Sequence, residues 1–170
     1  MPNESLDPLR KFILDKTEGN PFFMEELVQT LREQGLLTAG ITRLTDLRLP
    51  TTVQGVLAAR MDRLPAEEKA LLQTLAVIGR EFGMRLLEKV SEVKGDRLLE
   101  ALEEAMAARV IAELPRTPDH YWFSHALIRE TLYEELNTTR RIRLHRQIGD
   151  ALEGLDAEGN LPQLAYHFAE

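Results

Sequence analysis

The chain has 170 residues, a net charge of −7 and no cysteine. Hydrophobic residues make up 44% and charged residues 29%, which is the composition of a folded domain rather than of a disordered segment. The missing cysteines exclude disulfides and thiolate chemistry, and the acidic balance argues against a general nucleic-acid binder. No apolar run approaches the ~20 residues of a membrane helix and no secretory signal follows Met1, so we expect a cytoplasmic protein.

Two helices joined by a tight junction are predicted at the start of the chain. Apolar residues recur at helical intervals over residues 6–16. Gly19 then suits the end of the first helix, Asn20 the N-cap of the second, and Pro21 its first position. The second helix ends at Gly35, and its inward residues are predicted to be Phe23, Met24, Leu27, Val28 and Leu31.

The centre of the main core is predicted in a helix that starts near Pro65. A short helix capped by Thr51 or Thr52 precedes this core helix. Two helices follow the core helix, one over residues 82–90 and one that opens at Gly95. The core helix ends at Gly79 and carries the strongest apolar stripe in the chain, Leu71, Leu72, Leu75, Ala76 and Ile78. The helix that opens at Gly95 has the predicted inward residues Leu98, Leu99, Leu102 and Met106.

A β-hairpin is predicted over residues 110–123, with a loose tip at residues 115–119. Ser124 can cap the next helix, which places His125 in the first turn and Arg129 four residues on, over the same face. A strand that leads into a helix start with His and Arg side chains can hold a phosphate. The predicted buried stripe of this helix is Leu127, Ile128, Leu132 and Leu136.

These elements predict a mainly α chain with one small β-hairpin, in the order of a winged-helix domain. A last long helix begins near Arg140, and residues 161–170 open one more, with Leu164, Ala165 and Phe168 as its apolar residues. The arginines of residues 140–146 fit either a nucleic-acid contact or a solvated face paired with acids, and the second interpretation is favoured. His120, His145 and His167 lack ligand spacing, so no metal is predicted.

Several motifs together resemble one family. GNPFFMEEL at residues 19–27 is similar to the lid segment of signal-transducing (STAND, AAA-like) P-loop ATPases, found in bacterial transcriptional activators and in ATPase-linked adenylate and guanylate cyclases. Residues 49–53, 58–64 and 76–82 resemble the helical and winged-helix parts behind that lid. FSHALIR at residues 123–129 lies where related apoptosis and plant-immunity switches carry a Met-His-Asp motif, and residues 164–169 resemble the entry into a tetratricopeptide array.

The resemblance implies a division and a nucleotide site. Residues 1–48 would be a lid-like segment, 49–138 a winged-helix domain and 139–170 the start of a tetratricopeptide-like array. The residue matching Pro21 packs near adenine, and the one matching His125 reaches the β-phosphate of ADP. With Arg129, these are the predicted cofactor-binding residues, and ATP or ADP is the expected cofactor of the parent protein. One position differs from the Met-His-Asp motif of the family, because Ala126 stands where the motif has the Asp that orients the loop.

The 170 residues contain no Gly-x-x-x-x-Gly-Lys-Ser/Thr phosphate loop and no strand that ends in paired acids for magnesium. We therefore expect no catalysis by this chain and no catalytic residues. Three hypotheses remain: a regulatory module of a nucleotide switch, a DNA-binding winged helix, and a structural adaptor for proteins. The expected partners are a P-loop ATPase core and helical repeats of the same parent, without nucleic acid or membrane.

Overall fold

The structure, a computed structural model, describes residues 7–33, 35, 52–156 and 166–169. Its contacts divide the chain into two units, Met1–Arg63 and Leu64–Glu170, while the predicted domain limits at residues 48 and 138 stay a prediction. The predictions over residues 36–51 and 157–165 lie outside the described residues. The described part is mainly helical and carries a small three-stranded antiparallel sheet. None of its helices is long and apolar enough to cross a membrane.

Three helices make up the described part of the first unit: α1 (Asp7–Thr17), α2 (Pro21–Glu33) and α3 (Val53–Met61). The predicted junction between α1 and α2 is confirmed, because Gly19 has a φ of 77° and the Asn20 side chain accepts a hydrogen bond from Phe23 N at 3.1 Å. Thr52 caps α3 by accepting a hydrogen bond from Gly55 N. The core residues of this unit are Ile13, Phe23, Leu27, Leu31 and Val56.

A buried ion pair links α2 to α3. Arg60 Nη1 lies 2.7 Å from Glu26 Oε2, and both side chains are more than nine-tenths buried. The prediction that Val28 points inward is wrong, because the buried face of α2 includes Glu26 and Thr30 while Val28 is 37% exposed. Apolar character alone predicted Val28 as a core residue, whereas the partner on α3 allows Glu26 to be buried instead.

The described part of the second unit adds five helices, three strands and a helical turn at residues 166–169. Its strands pair antiparallel in the order β1-β3-β2. In chain order the elements are α4 (Ala66–Ile78), β1 (Glu81–Gly83), α5 (Met84–Val90), α6 (Gly95–Ala107), β2 (Ile111–Glu113), β3 (His120–Phe123), α7 (Ala126–Glu134) and α8 (Thr138–Asp156).

The sheet corrects the predicted two-stranded hairpin. β2 and β3 pair as expected, with Ile111 opposite Phe123, but β1 adds a third strand on the other side of β3. Residues 81–83 were expected in part to be helical. They are extended because Phe82 is buried against the rings of Tyr121 and Phe123, at centroid distances of 6.1 and 5.7 Å. The helix predicted over residues 82–90 therefore begins at Met84.

α4 forms the centre of the core of the second unit, as predicted. Its apolar stripe is buried, and Leu75 has no exposed surface. On α6 the predicted inward residues Leu98 and Leu102 are buried, but Leu99 is 48% exposed and that prediction is wrong. Leu99 lies about 100° around the helix from Leu98, so one face cannot bury both residues fully.

Candidate functional site

Pro21 lies at the edge of a depression formed by the start of two helices. The depression encloses about 560 Å³, and the N-terminal ends of α2 and α3 both reach it. Lys16 and Glu18 line it with opposite charges, and the side chains of Asn20 and Thr52 accept hydrogen bonds from Phe23 N and Gly55 N at the two helix starts. The residues that line the depression are Lys16, Thr17, Glu18, Gly19, Asn20, Pro21, Phe23, Thr52 and Val53.

His125 is the N-cap of α7, directly after β3. Its Nδ1 accepts a hydrogen bond from Leu127 N at 3.2 Å. The prediction that Ser124 caps this helix is therefore wrong, and Ser124 N instead donates to Val110 O at 3.0 Å. Because Nδ1 is an acceptor, the neutral ring carries its proton on Nε2, which is a donor. This is the protonation that a contact to a phosphate oxygen needs.

Arg129 is directed toward the end of α4. Its Nε donates to Ala76 O at 2.9 Å, and its guanidinium carbon lies 5.8 Å from the centre of the Tyr133 ring. The sequence did not predict either contact. Pro21 belongs to the first unit, whereas His125 and Arg129 belong to the second. The contact of all three residues with one nucleotide therefore stays a prediction.

A buried cluster of rings in the second unit was missed by the sequence analysis. His145 Nδ1 lies 2.9 Å from His167 Nδ1, and the Tyr133 hydroxyl lies 3.1 Å from His145 Nε2. His145 and His167 are 1% and 3% exposed. Burial, followed by the charges of His145 and Arg129, lowers the pKa of His167 to about 4, against the opposing effect of a hydrogen bond to the backbone of Ile78. Within the described ranges no three His, Cys, Asp or Glu side chains form a metal-binding group.

The exposed face of α6 is acidic. Arg97, Glu100, Glu103 and Glu104 are all exposed. The positive charge of Arg97 is neutralised by Glu100 and Glu67, at 3.2 and 3.4 Å. Burial and a hydrogen bond with Glu104 raise the pKa of Glu68 on the adjacent α4. Phosphates of DNA would be repelled by this face.

No protein-family model matches the chain, and no curated protein is significantly similar to it.

Proposed function

We propose that this chain is a non-catalytic regulatory module of a nucleotide-dependent signalling ATPase. In this proposal it senses ATP or ADP held by a P-loop core outside the 170 residues and relays that state to helices beyond residue 140. The observation that carries the proposal is the position of His125 as N-cap of α7, immediately behind β3. A neutral Nε2–H donor at a helix start suits an oxygen of a diphosphate.

The order of elements around His125 supports this assignment. α4, β1, α5, α6, β2 and β3 follow one another as helix, strand, helix, helix, strand and strand, with β1 and β2 pairing on either side of β3. This order is consistent with the winged-helix domain that the sequence predicts and supports that part of the proposal. A ligand at the end of β3 would contact the start of α7, and α7 leads directly into α8. That connection offers a route from a nucleotide contact to the last long helix.

The depression at Pro21 supplies the second part of the proposed contact. Pro21 and Phe23 offer apolar surface to a base, whereas Phe23 N and Gly55 N already donate to the capping side chains of Asn20 and Thr52. The module itself lacks a phosphate loop, so its role is to stabilise one nucleotide state rather than to hydrolyse ATP. Alone it should bind ADP only weakly, because most donors to the phosphates belong to the proposed core.

The direct test is the affinity of the full-length protein for ADP. Replacing His125 by Ala removes one charge-assisted hydrogen bond, so the affinity should fall roughly tenfold or more. His120→Ala is the matched control, since His120 is an exposed histidine whose Nδ1 contacts Pro118 O, and it should leave the affinity unchanged. Equal affinities of the wild type and His125→Ala, or micromolar binding of ADP to the 170-residue chain alone, would refute the proposal.

Two other functions differ in how well the structure supports them. DNA binding through α6 is disfavoured by its acidic exposed face. A protein adaptor is favoured by three exposed apolar side chains on α8 and in the turn at residues 166–169, namely Ile142, Tyr166 and Phe168, which are 53%, 42% and 53% exposed. A helical partner that binds this surface equally well with ADP, with ATP and without nucleotide would favour the adaptor over the switch.

A further inference from the structure

A continuous chain of hydrogen bonds joins residues 166–169 to α4, α7 and α8. It runs from the Tyr133 hydroxyl to His145, from His145 to His167 and from His167 to the backbone of Ile78. Tyr133 belongs to α7, His145 to α8 and Ile78 to the last turn of α4. The helical turn at residues 166–169 is thus linked to three other elements through one histidine.

The hydrogen bonds that join Tyr133, His145 and His167 allow one consistent arrangement of protons when both histidines are neutral. Tyr133 donates its hydroxyl proton to His145 Nε2, so His145 carries its own proton on Nδ1 and donates it to His167 Nδ1. His167 then carries its proton on Nε2. A histidine that donates to a backbone must meet a carbonyl oxygen, which is that of Ile78. Every polar atom of the two rings is satisfied in this state.

Protonation of His167 breaks this arrangement, whereas His145 can take a proton on Nε2 and donate it to the Tyr133 hydroxyl oxygen with both bonds kept. An added proton on His167 Nδ1 would place two N–H groups against each other over 2.9 Å. The new charge on His167 would also be buried, because this side chain is only 3% exposed. In addition, the positive charge of Arg129 would repel it. The docked state of residues 166–169 therefore requires a neutral His167.

We propose that Tyr133, His145 and His167 form an acid-sensitive latch, which holds residues 166–169 against α8 at neutral pH and releases them in mild acid. The latch does not depend on nucleotide binding. Two further contacts would open with it: the ring of Tyr166, 5.6 Å from that of His145, and the ring of Phe168 on Gly149. A Cβ at Gly149 would lie 2.9 Å from the Phe168 ring, so the contact is close.

The charged groups around the latch oppose its protonation. Arg129 faces it from α7, and Arg141 of α8 lies 4.5 Å from the centre of the Tyr133 ring. On α4, Lys69 is paired with Glu135 at 3.0 Å. On α5, Lys89 comes close to α8 near Gly154, which is about two and a half helical turns beyond His145. Arginines near the histidines also disfavour a metal cation in their place.

The direction of the pH effect follows from the depressed pKa of His167. The contribution of this neutral ring to docking is complete above the ordinary pKa of 6.5 and is lost as the pH falls from 6.5 toward about 4. Between pH 7.5 and pH 5 the ratio of docked to released segment should fall about 30-fold.

The test is solution NMR of the whole chain between pH 7.5 and pH 4.5. Contacts between the Phe168 ring and Gly149 report docking, and the ring nitrogens of His145 and His167 report tautomers and titration. His167→Gln keeps a donor and an acceptor but cannot be protonated, so docking should persist to pH 5. His120→Gln is the matched control and should retain the wild-type pH response. Zn²⁺ is added at pH 7.5 as a separate arm.

Three results would overturn the latch. The first is a Phe168–Gly149 contact that persists in the wild type to pH 4.5. The second is an unchanged loss of docking in His167→Gln. The third is a joint shift of both histidines with micromolar Zn²⁺, which would assign the pair to a metal site. Should His167→Gln fail to fold, the wild-type tautomers still decide, because the latch requires the proton of His145 on Nδ1 and that of His167 on Nε2.

Discussion

The two units bury polar side chains by opposite means. In the first unit Glu26 and Arg60 form an ion pair 2.7 Å apart, and both partners must be charged to stabilise each other. In the second unit Tyr133, His145 and His167 form a chain of hydrogen bonds that requires a neutral His167 ring. The ion pair links α2 to α3, whereas the docking of residues 166–169 is proposed to depend on pH through His167. The protonation state that a buried polar cluster requires therefore decides whether its contribution to stability depends on pH.

The largest effect is expected from breaking the ion pair. Glu26→Ala leaves the Arg60 guanidinium buried without its carboxylate and should lower the free energy of unfolding of the first unit by ~3–5 kcal/mol. Hydrogen exchange of α2 amides measures it. The matched control is Glu33→Ala, because Glu33 forms a solvent-exposed pair with Arg63 at 3.8 Å and should cost only ~0–1 kcal/mol. Similar losses in the two variants would contradict the role given to the buried pair.

Truncating a buried apolar side chain in the second unit gives a stability loss with which the effects of the two polar clusters can be compared. Leu75→Ala removes a fully buried side chain from the centre of α4 and should cost ~2–5 kcal/mol through the cavity that remains. Hydrogen exchange of α4 amides measures the loss, and Leu99→Ala on the half-exposed face of α6 is the control. An α4 that is no less protected in Leu75→Ala would place the core of this unit elsewhere.

The smallest effect is expected at the outer end of the histidine chain. Tyr133→Phe removes the hydroxyl that donates to His145 Nε2 and should cost about 1–2 kcal/mol at pH 7.5. Without that donor the tautomer of His145 is no longer fixed, so NMR should detect a mixture of its two neutral forms. Tyr121→Phe on β3 is the control, because it removes a tyrosine hydroxyl of the same unit that is not part of the histidine chain. A single unchanged tautomer of His145 in Tyr133→Phe would show that the hydroxyl does not orient the ring.

Local chemistry was predictable wherever a residue acts on its near neighbours. Gly19, Asn20 and Pro21 define the start of α2 because a left-handed glycine, a side-chain cap and a proline at the first position each act within a few residues. The stripe of α4 was equally visible, since helical periodicity depends on spacing alone. At the candidate site the sequence located His125 at the start of α7 but assigned the cap to its neighbour, because either side chain can reach the helix amides.

The sequence by itself therefore determined the mainly helical class, the junction at Pro21 and the core helix. Only the tertiary structure decided that Glu81–Gly83 pairs with β3, that Glu26 is buried opposite Arg60, and that His145 meets His167. These partners lie between 22 and 41 residues apart in the chain, shown by the pairs His145–His167 and Glu81–Trp122. Spacing within one helix or strand carries no information about such contacts, because they form only when separate elements pack together.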